Sequence, residues 1–263
     1  MNFKRFTLFA VTFVTAFFLS AEIPTLTYKS GRVDGADLSY DDKFEPEILD
    51  LNQSLSPHLL VATGVGGRVE SIVEEKYWRL GSNSMARWYS SEALWLHSGS
   101  ALFCSTVNDT IHFSTTESNA TFSGTGTIII EATKNGGFKF IPLEAKGTIS
   151  TEKGGIKEVV GGRMLLILGN PSFFGDAFDI DIMLLIKSSR LVNAYPTMLP
   201  TFKKIGLAIY IQELKLKGKY DALIGDATTE ENLQMWKFGN DLGNKGSEAS
   251  PKKGFFGRIF GGN

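Results

Sequence analysis

Cysteine is almost absent from this sequence. Its 263 residues include only one, Cys104. No disulfide bond can therefore form within the chain, and the fold must depend on its hydrophobic core. Cys104 follows Phe103 in a short apolar run of the kind that strands contain. A cysteine in that setting is a small buried hydrophobic side chain far more often than a nucleophile.

An excess of charge of one sign is also lacking. The chain has 27 Lys and Arg residues against 28 Asp and Glu residues, which gives a formal net charge of −1. Nucleic-acid-binding domains need a basic surface to neutralise phosphates, so the balance argues against nucleic acid as a partner. Glycine and phenylalanine are plentiful, at 28 and 20 residues. Tight turns and a β-rich core use these two residue types.

Catalytic motifs are missing as well. The histidines are His58, His97 and His112, and no G-x-S-x-G or H-E-x-x-H motif accompanies them. The glycines of residues 64–67 lack the last glycine of a dinucleotide-binding loop, because Val69 stands there. We therefore predict no enzyme, no cofactor and no metal. A hydrolase is the alternative, in which His97 and His112 face one another or carboxylates pair. Its candidate carboxylates are Glu117, Glu131 and Glu144.

The N-terminus carries the features of an export signal. Lys4 and Arg5 precede a mainly apolar run over residues 6–19, and the small residues Ser20 and Ala21 follow. This order is typical of a secretory signal peptide, and the run is shorter than the roughly 20 residues that span a bilayer. We expect a signal peptide over residues 1–21 and a periplasmic, secreted or cell-envelope location. An uncleaved membrane anchor is the alternative.

Short β-type runs dominate residues 94–168. Their spacing, with Gly, Asn, Asp and Ser between them, is typical of a roll, barrel or sandwich. The runs cover residues 94–96, 101–104, 111–114, 121–122, 127–132, 138–142, 147–151, 156–160 and 164–168. The residues assigned to turns are Gly99, Gly124, Gly126, Asn135, Gly136, Gly137, Gly161 and Gly162. We predict a mainly β, antiparallel fold with a smaller helical or mixed C-terminal segment.

The other segments differ from this stretch in composition. Residues 22–60 are polar and irregular at first, which predicts a lead-in arm with some helix near residues 46–51 that ends at Pro57. The β-domain then covers residues 61–168. A helical or mixed segment follows over residues 169–238. The glycines at 64–67 are assigned to a turn between strands at the start of the β-domain.

Helices are predicted after the β-domain. Asp176, Asp179 and Asp181 come just before an apolar run, where carboxylates suit the positive end of a helix dipole. A metal cluster is the alternative for these three residues. A second helix shows the spacing of one apolar face, formed by Leu207, Tyr210, Ile211 and Leu214. A last short helix is predicted to begin at Thr228, with Glu231 as its capping-box partner.

The C-terminal residues 239–263 form a predicted linker and a basic-aromatic tail. Basic residues alternate with aromatic ones in the tail, which suits an anionic membrane surface or the groove of a partner. The residues predicted to bind there are Lys252, Lys253, Phe255, Phe256, Arg258 and Phe260. The alternative is a tail that packs its phenylalanines onto the domain.

Four motifs in residues 90–168 together resemble the FecR-type periplasmic domain of bacteria. Residues 94–100, LWLHSGS, resemble its first strand and Gly-Ser turn, and residues 122–127, FSGTGT, resemble its small-residue element. The sequence LEAKG within residues 137–149 resembles its strand pair, with alanine in place of the usual glycine. Residues 159–164, VVGGRM, resemble its closing turn.

The resemblance implies an exported, periplasmic β-domain. Members of the family relay iron–siderophore signals to a sigma factor, and here we carry over only the fold and the compartment. The predicted function is a non-catalytic binding, signalling or structural module of the cell envelope. Its expected partner is an envelope protein or a polysaccharide. The alternatives are an envelope hydrolase and a structural protein that is attached through the C-terminal tail.

Overall fold

The computed structural model describes residues 22–39, 46–216, 220–223 and 234–237. Fifteen strands form one continuous hydrogen-bonded sheet that divides into two layers. Its strands are β1 (Leu26–Ser30), β2 (Val33–Asp37), β3 (Glu47–Ile48), β4 (Leu59–Thr63), β5 (Arg68–Val73), β6 (Lys76–Leu80), β7 (Met85–Ser90), β8 (Ala93–Ser98), β9 (Ser100–Ser114), β10 (Asn119–Ala132), β11 (Phe138–Pro142), β12 (Lys146–Thr151), β13 (Gly155–Val159), β14 (Arg163–Leu168) and β15 (Phe173–Asp179). The later elements are α1 (Ile182–Ser189), α2 (Phe202–Leu216), β16 (Tyr220–Leu223) and β17 (Gln234–Lys237).

Two long strands, β9 and β10, belong to both layers. Residues 101–105 of β9 pair with β6, whereas residues 112–114 pair with β8. In β10, residues 121–125 pair with β12 and residues 128–132 pair with β11. The sequence predicted each of these strands as two shorter runs, and that prediction is wrong because the polar residues between the runs bend the strand without ending it.

The bend in β10 is a β-bulge between Gly124 and Gly126. Gly126 has a φ of +111°, and a side chain there would lie 2.5 Å from the Cα atom of Ala145. Glycine alone tolerates both this backbone conformation and this close approach. The assignment of Gly124 and Gly126 to turns is therefore wrong, since both lie within a strand that passes from one layer to the other.

The two layers are defined by the pairing. Sheet A contains β1, β5, β6, the first half of β9, the second half of β10, β11, β14 and β15. Sheet B contains β3, β2, β4, β7, β8, the second half of β9, the first half of β10, β12 and β13. Only β8 and β9 pair in parallel among these strands. The prediction of a mainly β, antiparallel fold with a small helical C-terminal part is confirmed, and the FecR-type assignment stays a prediction.

The main hydrophobic core lies between the two sheets. Alternate residues of each strand point into it, as the pleat requires. Sheet A contributes Trp78, Phe103 and Phe140, and sheet B contributes Trp88 and Phe113, all buried. The rings of Trp78 and Phe103 lie 4.8 Å apart between centroids, in a tilted arrangement. Aromatic packing of this kind adds to the stability that burial alone supplies.

A second hydrophobic cluster covers the other face of sheet A. Leu102 and Ile129 point out of sheet A and meet Leu185 of α1 and Ile205 of α2. Helix α1 begins at Asp181, whose carboxylate accepts a hydrogen bond from the backbone N–H of Leu184 at 2.9 Å. Asp176 and Asp179 lie in β15 instead, so the prediction that all three aspartates sit at a helix start is correct for Asp181 alone.

Helix α2 faces the protein with a different side from the predicted one. Ile205 is buried, whereas Leu207 and Ile211 are 58% and 40% exposed. Gln212 explains the orientation, because its amide donates to the carbonyl of Ile180 at 2.6 Å and accepts from the N–H of Ile182 at 2.9 Å. The predicted apolar face of Leu207, Tyr210 and Ile211 therefore points outwards, and the side chain of Leu214 lies outside the described part of the chain.

A buried arginine holds the segment after α1 against sheet A through hydrogen bonds. The Nε atom of Arg79 donates to Glu70 at 2.7 Å, and its Nη1 atom donates to the carbonyls of Leu191 and Val192, both at 2.9 Å. The guanidinium also lies 4.4 Å from the ring centroid of Tyr195. The loop that follows α1 is thus held in one position against the sheet.

Two local predictions at the ends of the chain are wrong. The arm expected over residues 22–60 contains β1 to β4, and the helix expected near residues 46–51 is replaced by β3. Pairing with β4 and β5 decides this, because tertiary hydrogen bonds outweigh weak local preferences. The helix predicted from Thr228 is contradicted at β17, which pairs with β16. Most of that segment lies outside the described residues.

No helix in the described part of the chain is long and apolar enough to cross a membrane. The predicted signal peptide over residues 1–21 and the predicted tail over residues 239–263 lie outside the described residues. Export and tail binding stay predictions.

Candidate functional site

A row of aromatic and basic side chains, exposed or half-buried, crosses the outer face of sheet B. Arg87 of β7 lies directly opposite Trp95 of β8 in the antiparallel register. Its guanidinium is 4.4 Å from the ring centroid of Tyr89 and 5.8 Å from that of Trp95. The ring of His97 continues the row, 5.3 Å from Trp95 between centroids. We call these four residues, Arg87, Tyr89, Trp95 and His97, the aromatic face.

Strand alternation places these side chains outwards. In β7, Ala86 and Trp88 are buried between the sheets, so Arg87 and Tyr89 lie on the outer face of sheet B. In β8, the buried residues are Leu94 and Leu96, and Trp95 and His97 take the opposite side. Tyr89 is 43% exposed although its ring is large and apolar. Large rings gathered on an otherwise polar sheet face are typical of a binding surface.

Arg87 gives the aromatic face a positive charge. It forms no ion pair with a carboxylate in the described part of the chain, and its Nε atom is buried without a hydrogen-bond partner there. Its Nη2 atom donates to the hydroxyl oxygen of Tyr89. A guanidinium held between two rings and lacking an acidic partner is ready to donate hydrogen bonds to a ligand.

A row of hydroxyl groups lies on β9 and β10, beside the aromatic face. The Nδ1 atom of His112 is 3.0 Å from the hydroxyl oxygen of Thr121, and Thr110 and Ser123 are 3.1 Å apart between hydroxyl oxygens. These side chains are exposed or half-buried. Each hydroxyl can both donate and accept, so this part of sheet B offers hydrogen bonds without strong charge.

His97 also lines an open cleft at the end of the sandwich. The cleft has a volume of about 760 Å³ and is built from the turns that join neighbouring strands. Charged and amide side chains surround it, namely Asn83, Glu117, Lys134 and Asn135. The cleft therefore adjoins the aromatic face through His97 and extends it with polar groups. We call it the polar cleft.

Several residues assigned to turns come together at the polar cleft. Gly99 joins β8 to β9, and Asn135 and Gly136 join β10 to β11. Gly99 and Gly136 both have a φ of +80°, which a glycine adopts without strain. Gly137 lies next to Gly136 in the same connection. Gly161 and Gly162 join β13 to β14 and do not line the cleft.

The three histidines do not converge. His112 pairs with Ala93 in the parallel ladder, and His97 lies four residues further along β8. At about 3.3 Å per residue, this offset corresponds to roughly 13 Å along the strand. His58 lies in the turn before β4. An acid–base pair needs groups within hydrogen-bond reach of one substrate, and His97 and His112 do not meet that requirement.

The candidate carboxylates are dispersed as well. Glu117 lines the polar cleft, whereas Glu131 is buried and forms an ion pair with Lys139 at 3.2 Å. Glu144 lies on the helix-covered side of sheet A, where Thr127 donates to it at 3.0 Å. Burial raises the pKa of Glu144, and hydrogen bonds from Thr127 and Thr201 partly oppose that shift. The three groups belong to three different parts of the molecule.

Cys104 is buried beneath the start of α2. Its sulfur lies 3.4 Å from the hydroxyl oxygen of Thr201, which in turn is 2.6 Å from that of Thr127. Burial raises the pKa of the Cys104 thiol, so the protonated form is favoured. No histidine contacts the thiol among the described residues. The cluster joins α2 to sheet A through hydrogen bonds.

No metal-ligand group is assembled in the described residues. Within them, no three His, Cys, Asp or Glu side chains lie close enough together to hold a metal ion. The metal alternative for Asp176, Asp179 and Asp181 therefore has no support in the geometry, since Asp181 caps α1.

The sequence prediction missed the aromatic face. Its signal is the alternation in residues 85–90, MARWYS, where Trp88 falls on one side and Arg87 and Tyr89 on the other. The predicted binding residues of the tail, which are Lys252, Lys253, Phe255, Phe256, Arg258 and Phe260, lie outside the described residues. Comparisons with protein-family models, with curated proteins and with solved structures find no match to this chain.

Proposed function

We propose that this protein is an exported, non-catalytic binding module of the bacterial cell envelope, and that it binds polysaccharide through the aromatic face of sheet B. The observation that carries the proposal is the row of Arg87, Tyr89, Trp95 and His97 on the outer face of sheet B. Export is supported by the sequence of residues 1–21, and the bacterial envelope by the FecR-type resemblance of residues 90–168.

The chemistry of a sugar chain matches this surface. The C–H faces of sugar rings pack against exposed aromatic rings such as those of Tyr89 and Trp95, and sugar hydroxyls need many donors and acceptors. Arg87, His97 and the hydroxyl row of sheet B supply these groups. The aromatic face is also open and extended, which suits a long polymer better than a small molecule.

The dispersed histidines and carboxylates support binding without catalysis. A catalytic site needs a base, an acid or a nucleophile held at one reacting centre. The polar cleft contains His97 and Glu117, but no second carboxylate of the described residues lines it to form a glycosidase pair with Glu117. The hydrolase alternative would need these two residues to act on a sugar bound in the cleft.

An envelope protein is the second candidate partner, favoured by one observation on sheet B. Among the described strands, β13 pairs with β12 alone, which leaves its outer edge without a strand partner there, and Ile156 of β13 is 74% exposed. A partner strand can add to such an edge. Attachment to a membrane through residues 252–260 is a separate proposal that rests on sequence alone.

The test separates these partners. The mature protein, without residues 1–21, is passed over an immobilised envelope polysaccharide fraction and, separately, over an envelope protein extract. We expect retention by polysaccharide and its loss in Trp95→Ala, with retention unchanged in Leu207→Ala as the matched exposed control. Retention only by the protein extract, lost in Ile156→Lys, would favour the protein partner. Equal polysaccharide retention of Trp95→Ala and the unchanged chain would contradict the proposal.

A further inference from the structure

A second cavity lies where the loop after α1 meets sheet A. Its volume is about 200 Å³. The turn before β5, the turn before β7 and the end of α1 form its walls. Two arginines line it, Arg68 at the start of β5 and Arg190 at the end of α1, together with the hydroxyls of Ser82 and Ser189.

Among the described residues, no acidic side chain lines this cavity. In the described part of the chain, neither Arg68 nor Arg190 forms an ion pair with a carboxylate. The nearest carboxylate along β5 belongs to Glu70, which is already bound to Arg79 at 2.7 Å. Two arginine residues therefore line one concave site, and no carboxylate of the described residues forms an ion pair with either.

Ser189 offers a further unused group. Its residue is 3% exposed, and its hydroxyl oxygen accepts a hydrogen bond from the N–H of Leu191 at 3.4 Å. The hydroxyl hydrogen has no acceptor among the described residues. A buried hydroxyl that keeps a free donor beside two arginines needs an acceptor, and an oxyanion would supply one.

The walls of the cavity are held in place before any ligand binds. Arg79 holds the carbonyls of Leu191 and Val192, and the hydroxyl of Tyr195 donates to the carbonyl of Leu80 at 2.7 Å. Arg190 has a φ of +57°, a conformation that is uncommon for a side chain of its size and that costs free energy. The positive charge of Arg190 is favourable at the C-terminal end of α1, because of the helix dipole. The dipole does not explain why Arg68 lies at the same cavity.

From this arrangement we propose that the cavity is a binding site for a phosphate group, and we call it the two-arginine pocket. Guanidinium groups match the oxygen geometry of phosphate and donate paired hydrogen bonds to it. Arg68 and Arg190 supply the charge, and Ser189 donates a further hydrogen bond. The phosphate is either free in solution or part of a lipid headgroup, because both present the same oxygens. The proposal is independent of the aromatic face.

The experiment uses inorganic phosphate and vesicles as probes. The purified protein is titrated with phosphate in a chloride buffer while its thermal midpoint and binding heat are recorded. We expect a saturable rise of the midpoint, with the dissociation constant raised at least about tenfold in Arg68→Gln and in Arg190→Gln. Arg163→Gln, which removes an exposed arginine outside the cavity, is the matched control and should bind like the unchanged chain.

Vesicles distinguish the two sources. Sedimentation with phosphatidylcholine vesicles that contain phosphatidylglycerol, compared with phosphatidylcholine alone, reports binding to a lipid phosphate. Loss of that sedimentation in Arg190→Gln supports a lipid headgroup, and phosphate binding without sedimentation supports a soluble ligand. Arg190 is exposed, so its variant keeps the test valid if Arg68→Gln does not fold. Absence of both kinds of binding, or equal affinity of Arg190→Gln and Arg163→Gln, would overturn the proposal.

Discussion

The outer faces of the two sheets have opposite characters. Sheet A presents Leu102, Ile129 and Ile141 on its outer side, and the two helices bury all of them. Sheet B presents Arg87, Trp95 and His112 at the equivalent outward positions, and no helix of the described chain covers them. Strands β9 and β10 belong to both sheets, so the same two strands change from an apolar to a polar outer face along their length.

This difference separates residues that stabilise the fold from residues available for binding. An apolar outer face must be covered, and α1 and α2 do that for sheet A. A polar outer face needs no cover, so large rings on it have no structural requirement. Tyr89 is exposed on sheet B and Trp95 is only half-buried there, so neither ring belongs to the core. This difference is why we propose sheet B as the binding side.

The largest expected loss of stability comes from replacing the buried Arg79 of sheet A. In Arg79→Met, Glu70 stays buried without its partner and the carbonyls of Leu191 and Val192 lose their donor. We expect the free energy of unfolding to fall by about 3–5 kcal/mol. Urea unfolding followed by circular dichroism measures it. The double variant Arg79→Met, Glu70→Met is the control and should recover much of the loss; no recovery would contradict this role for the ion pair.

Substitutions on the inner and outer sides of sheet B should change the free energy of unfolding by very different amounts. Phe113→Ala removes a ring from the core between the sheets, and we expect a loss of about 3–5 kcal/mol in the free energy of unfolding. Trp95→Ala removes a larger ring from the outer side, where surface substitutions change that energy by about 0.5 kcal/mol or less. Parallel urea titrations compare them. A loss in Trp95→Ala as large as that in Phe113→Ala would mean that the aromatic face is structural.

The pH dependence of stability tests the burial of Glu144 on the helix-covered side of sheet A. Burial raises the pKa of this carboxyl group in the folded protein. Its protonated form is therefore favoured by folding, so its contribution to stability is complete below the unfolded pKa of about 4.3 and is lost as pH rises through the folded pKa. Glu144→Gln cannot lose a proton there. We expect the variant to gain stability relative to the unchanged chain from pH 4 to pH 7, measured by urea unfolding, and parallel profiles would contradict this.

The smallest effect is expected on the outer side of α2. Leu207 and Ile211 are exposed, so Leu207→Ser and Ile211→Ser should change the free energy of unfolding by about 0.5 kcal/mol or less. The buried Ile205→Ala provides the contrast, with an expected loss of about 2–5 kcal/mol. Thermal or urea unfolding of the three variants compares them. A large loss in Leu207→Ser would place the predicted apolar face against the protein after all.

Much of the β-structure was predictable because its signals are local. The strands at residues 138–142 and 164–168 are short, mainly apolar runs bounded by glycine or asparagine turns. The split of β9 and β10 was wrong because Asn108 and Gly124 are typical of turns but here lie at bends within a strand. Only pairing with distant strands keeps such residues in the ladder.

The candidate site was less predictable because it depends on neighbours in space. Arg87 and Trp95 belong to different strands, and only their register places one opposite the other. Arg68 and Arg190 are 122 residues apart in the chain and meet only after α1 packs on sheet A. For α2, the periodicity correctly indicated a helix. Gln212 decided which side faces inwards, and its two hydrogen bonds cannot be read from periodicity.

The central claim is that the bare outer face of sheet B binds the ligand. Trp95 provides a direct probe, because it is half-buried on that face whereas Trp78 and Trp88 are fully buried. Tryptophan fluorescence is measured while a soluble fragment of envelope polysaccharide is added to the mature protein and to Trp95→Phe. We expect a saturable change in emission that Trp95→Phe greatly reduces. Polysaccharide binding that leaves the emission of Trp95 unchanged would contradict it.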